Sequence, residues 1–161
     1  MPSQPMVRID TTELRRLQVA LREFDPKLLT KLRKRVKEVG QVAVDAVKKS
    51  VTEPTPGGDT NADSRQAVAD ATTLTLSFSK TSAGLKVTSS ARRLDAEHKG
   101  FLGSYNKPRF RHPVFGSDRW VQQTGKPYFG AAITPVADKE MIYALRDALD
   151  EACISIGARG R

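Results

Sequence analysis

Apolar residues recur at threes and fours through the first third of the chain, the period of helices with one buried face. Leu14, Leu17, Leu21 and Phe24 share one such face, and Asp25-Pro26 closes that helix and opens the next. Asp accepts from free N–H groups as a cap, and Pro at the first helical position gives up no donor that the helix needs. Leu28, Leu29, Leu32, Val36, Val39, Ala43, Ala46 and Val47 carry the period on, predicting a long second helix from about Pro26 to Ser50. Residues 51–63, VTEPTPGGDTNAD, have no period and read as an exposed loop; 1–9 read as a flexible arm. Ser64 to Asp70 predicts a short helical turn.

The period then drops to two. Leu74, Leu76 and Phe78 alternate with threonines and serines, a turn at Thr81–Gly84 follows, and Leu85-Lys86-Val87-Thr88 alternates again, predicting a β-hairpin with a threonine-rich outer face. A short helix is expected within 91–106, ending at Gly103-Ser104. Lys107 to Phe129 holds the only tryptophan. There Phe110, His112 and Val114 alternate with Arg109, Arg111 and Pro113, a turn falls at Gly116–Asp118, Trp120-Val121 restarts an apolar run, and Gly125-Lys126-Pro127 breaks it. Because aromatics bury the most area per residue, this stretch is expected to be a core corner where helices and sheet meet. Thr134-Pro135 repeats the cap-then-proline start, so a final helix is predicted from about Pro135 to Ile156. Its buried stripe is Met141, Ile142, Leu145, Leu149, Ala152, Cys153 and Ile156. Helices flanking a hairpin make a single domain of the α+β class, with a small, mostly antiparallel sheet packed by a long N-terminal helix and a C-terminal helix.

Charge narrows the partners. The chain has 161 residues and a formal net charge of +9, which favours acidic partners: nucleic acid, an anionic surface or an acidic protein face. The basic run KLRKRVK, with Lys34, Arg35 and Lys37, lies on the second helix, and Asp147, Asp150 and Glu151 lie on the last. One cysteine and two histidines leave no internal disulfide and no expected metal site or cofactor. His98 and His112 have no supporting ligands in sequence, and Cys153 reads as a small buried hydrophobe. No pairing of nucleophile with base is visible, so no catalytic residue is assigned. The absence of a run near twenty apolar residues, and of an apolar N-terminal segment, predicts a protein made in a reducing cytoplasm with no membrane partner.

RHPVFG at 111–116, WVQQ at 120–123, and PYFGAAI at 127–133 running into the last helix bring a family into view. With the order of elements, they resemble the neck and tail-completion proteins of long-tailed bacteriophages, the group that includes lambda's minor tail protein Z. The similarity spans roughly 9 to 157. It implies a fold like that of tail terminators and a non-enzymatic virion protein at the head-to-tail junction. It also implies a homo-oligomeric ring, commonly a hexamer, that docks connector or head-completion proteins and the tail tube. Genomic DNA would pass through its channel without sequence-specific binding. A heterologous ring interface requires complementary faces on one subunit. Candidates are Lys34, Arg35 and Lys37 on the basic helix, and Asp147, Asp150 and Glu151 on the acidic one. Arg65, Arg109, Arg111, Trp120 and Tyr128 are residue types that anchor interfaces. The alternative is a basic nucleic-acid-binding module using helix 2 and the arginines at 92–93 and 109–111.

Overall fold

The computed structural model describes residues 6–8, 12–54, 62–79, 83–113, 118–144, 146–147, 150–151 and 154. Its class is α+β, mostly helical, with two small antiparallel sheets. In order the elements are β1 (Met6–Arg8), α1 (Thr12–Phe24), α2 (Pro26–Thr52), α3 (Ala62–Asp70), β2 (Thr72–Phe78) and β3 (Ala83–Ser89). Then come α4 (Ala96–Tyr105), β4 (Arg109–Pro113), β5 (Trp120–Thr124) and α5 (Tyr128–Val136). None of the described helices is long and apolar enough to cross a membrane.

The spine is α2, 27 residues and so about 40 Å long. The buried Asp25 caps it, accepting at 2.9 Å from the Lys27 N–H. Leu28, Leu29, Leu32, Val36, Ala43, Val44, Val47 and Val51 form one buried stripe down its length. The helix outruns the predicted boundary and takes Val51 and Thr52 from the expected loop, because the constraint that ends it is Pro54. A residue before proline is pushed out of the helical region, and Glu53 sits there at φ −62°, ψ 133°. At the far end of that loop α3 takes Ala62 and Asp63; residues 55–61 lie outside the described residues.

Against α2 lies a sheet of order β1-β3-β2. The register Leu74↔Val87 and Leu76↔Leu85 puts the apolar residues of the hairpin on one face, toward α2, and Thr73, Thr75 and Thr88 on the other. Leu74 reaches over Gly40, where a side chain on the helix would meet its methyl carbons at 2.7 and 2.8 Å. A glycine mid-helix costs about 1 kcal/mol in propensity; here it lets sheet and helix approach. At the buried end of the hairpin the Thr72 and Ser89 hydroxyls share a hydrogen bond of 2.7 Å, and Thr72 also donates to the Val68 carbonyl. Met6–Arg8, expected in a flexible arm, instead pairs with β3 as an edge strand.

Three further expectations change. The helix at 91–106 runs through Gly103-Ser104 to Tyr105. The last helix begins at Tyr128, not Pro135, and Pro135 lies inside it. Burial of Tyr128, Phe129 and Ile133 holds the earlier turns in place, so packing outweighs the local proline penalty. The backbone adjusts just beyond, widening into a π-helical turn over Ala137–Met141. On the expected stripe Met141 is buried, but Ile142 is exposed, and Ala144, not on that stripe, is buried as well. Leu145, Leu149, Ala152, Cys153 and Ile156 lie outside the described residues.

Candidate functional site

The aromatic stretch divides into a root and an arm. At the root, Phe101 stacks on Tyr105 with ring centroids 4.5 Å apart, Tyr105 lies 6.0 Å from Tyr128, and Tyr128 meets Phe129 edge-on at 6.2 Å. The chain is stapled there: Lys126 N–H donates to the Tyr105 carbonyl at 2.7 Å, Gly125 N–H to Pro108 at 3.0 Å, and Phe129 N–H to the Asn106 side chain at 3.1 Å. Lys126 Nζ also reaches Glu53 Oε2 at 3.0 Å, and this ammonium holds the Glu53 carboxyl below the usual carboxylate range. The core corner expected of the whole stretch is realised at this root alone.

Beyond the root, β4 and β5 form a separate two-stranded sheet from Arg109↔Thr124 to Pro113↔Trp120. Residues directly opposite one another in such a ladder share a face. One face of the arm is therefore Arg109, Arg111 and Pro113 with Trp120, Gln122 and Thr124, and every one of them is exposed. Trp120, expected to be core, is 63% exposed, and Val121 is exposed beside it. Phe110 is half-buried; the His112 side chain and Val114 are outside the described residues. Arg109 and Arg111 make no ion pair among the described residues.

The remaining interface candidates separate in the same way. Lys34, Arg35 and Lys37 are exposed on α2. Arg65 and Tyr128 are buried inside the chain, so neither presents its side chain to a neighbouring subunit, and both leave the candidate set. Arg65 points inward because it falls on the helical row of Val68 and Ala69, both buried. Glu151 is half-buried and pairs with Lys31 of its own chain at 3.2 Å, beside Leu28, Leu32 and Arg35. The contact between basic and acidic helices, expected between subunits, is made at this point within one subunit. Asp147 and Asp150 remain exposed.

Sequence reasoning missed two residues next to those aspartates. Tyr143 is 55% exposed and Ile154 73%. The described residues from Ile142 to Ile154 are helical. The spacing 143, 147, 150, 154 then places Tyr143, Asp147, Asp150 and Ile154 on one face. That spacing is present in the sequence, but neither residue falls on the expected buried stripe, and neither is assigned a role there.

No group of three or more His, Cys, Asp or Glu gathers to hold a metal among the described residues. His98 instead turns its Nδ1 to Asp95, the cap of α4, at 2.6 Å. Burial pushes the Tyr128 phenol up to about 12; the nearby Ser89 offsets only part of this and does not reach hydrogen-bond geometry. A raised phenol pKa leaves stability unchanged below the ordinary tyrosine value of about 10 and removes it as pH climbs from there to about 12, because only the unfolded chain ionises in that window. The full effect is on the order of 3 kcal/mol. Tyr128→Phe is expected to match the wild type within about 1 kcal/mol at neutral pH and to lose less stability than it above pH 10. Parallel urea titrations at pH 8 and 11 measure the difference; equal alkaline losses would refute it.

In comparisons with family models, curated proteins and solved structures, nothing matches the chain.

Proposed function

We propose that this chain is a non-enzymatic structural protein of a long-tailed bacteriophage that self-associates into a ring at the head-to-tail junction. The observation that carries the reading is the arm: a β-ribbon held at its root, with arginines and a tryptophan on one exposed face. A two-stranded ribbon is at best marginally stable in water, and exposed aromatic and arginine side chains are the types that dominate protein interfaces. The resemblance in 111–133 to neck and tail-completion proteins supplies the setting. In that setting the ring, assembled in the host cytoplasm, docks the tail to the connector, and DNA passes through its channel held by charge rather than by sequence.

A nucleic-acid-binding module is the second reading, favoured by the exposed Lys34, Arg35 and Lys37 of α2 and by the net charge of +9. It requires tight duplex binding that falls steeply with salt as phosphate contacts release counterions. Electron microscopy of the purified chain separates the two. Annular particles with a channel wide enough for duplex DNA support the ring, whereas particles that form only around added DNA support the second reading.

A further inference from the structure

We infer that the arm of one copy docks on the acidic face of the C-terminal helix of a second copy, Arg109 and Arg111 meeting Asp147 and Asp150 while Trp120 packs against Tyr143 or Ile154. The inference rests on the self-association reading above and names the two surfaces that would meet.

Each surface is unfinished in the same way. The arm presents two cations and a large aromatic on one face, all exposed. The helix presents two anions flanked by two exposed apolar residues on one face. Single exposed hydrophobics need no explanation, but apolar residues aligned with unpaired charge of one sign mark a contact surface. Charge complementarity selects the occupant. The chain carries an excess of positive charge, so an exposed face with two carboxylates is complementary to the arm, and among the described residues no ion pair joins it to the arm of its own chain.

The dimensions agree. Five ladder pairs span about 14 Å, four steps of 3.4 Å, comparable with the rise of about 16 Å from Tyr143 to Ile154 along a helix. Arg109 and Arg111 are about 7 Å apart along the strand, against a rise of about 4.5 Å between Asp147 and Asp150, a mismatch that long arginine side chains absorb. Because different surfaces meet, the contact is heterologous and repeats around a ring when its rotation closes.

The test uses two full-length variants, Arg109→Glu with Arg111→Glu, and Asp147→Arg with Asp150→Arg. All four positions are exposed, so both variants are expected to keep the wild-type circular dichroism and thermal midpoint. Sedimentation velocity should show each alone with self-association weakened at least about tenfold. A one-to-one mixture should return to within about threefold of wild type, since reversed arms then find reversed helices. Trp120→Ser, with no charge change, should weaken assembly as well and provides a second readout if a charge variant misfolds. Full assembly of either charge variant, or no recovery on mixing, overturns the docking contact while leaving self-association standing. A wild-type chain that stays monomeric overturns the self-association reading itself. Loss of duplex-DNA binding by the arm variant, with assembly unchanged, would reassign the arm to nucleic acid.

Discussion

Gly125→Ala is expected to destabilise the fold by about 3 to 5 kcal/mol, the sum of an overpacked contact and the hydrogen bonds it displaces. A Cβ at this position would sit 2.1 Å from the Lys107 carbonyl oxygen and 2.8 Å from that of Tyr105. Both are backbone atoms, so no rotamer change relieves the clash; the strand must move. Movement there breaks the bonds from Gly125 N–H to Pro108 and from Lys126 N–H to Tyr105, which fasten the arm to the end of α4. At Gly40 the offending atoms are the tips of Leu74, which can yield, so Gly40→Ala should cost far less. Urea denaturation of both variants checks the ranking. A Gly125→Ala midpoint close to wild type would mean that the root is not held as described.

The second large effect comes from two aromatic residues close in sequence. Phe129 is 2% exposed and packs edge-on against Tyr128, whereas Trp120 is mostly in solvent. Phe129→Ala removes a buried ring and leaves a cavity, a loss of about 3 to 5 kcal/mol. For a domain whose whole stability is on the order of 5–15 kcal/mol, that lowers the thermal midpoint by about 10 °C or more. Trp120→Ala should change monomer stability by less than about 0.5 kcal/mol. Calorimetry on dilute protein distinguishes them, and a Trp120→Ala midpoint as low as that of Phe129→Ala would place the tryptophan in the core.

That contrast also marks what the sequence could and could not convey. The long helix and the hairpin were legible because each repeats one period over many residues and carries its own cap or turn. Their ends were less so: Pro54 acts one residue ahead of itself, and Pro135 looks like a helix start although burial of the Tyr128–Ile133 turns extends the helix past it. The edge strand Met6–Arg8 is too short to show a period and exists only through its pairing with β3. For the arm, alternation at 109–113 fixed the strand but not which side faces solvent, since an exposed Arg-Trp face and a buried corner have similar patterns. Arg65 reads as a surface residue by its charge, though its helical spacing to Val68 and Ala69 turns it inward. Of the interface candidates, Lys34, Arg35, Lys37, Arg109, Arg111, Trp120, Asp147 and Asp150 are exposed.

Light scattering on the purified chain, at low and high salt and with and without duplex DNA, tests the claim of self-association most directly. A ring would give a hexamer-sized species built from the 17.7 kDa chain, indifferent to DNA and loosened by salt, because exposed arginine–aspartate pairs are screened beyond about 8 Å at physiological ionic strength. A monomer at every salt concentration, or one that gains mass only when DNA is added, would contradict it.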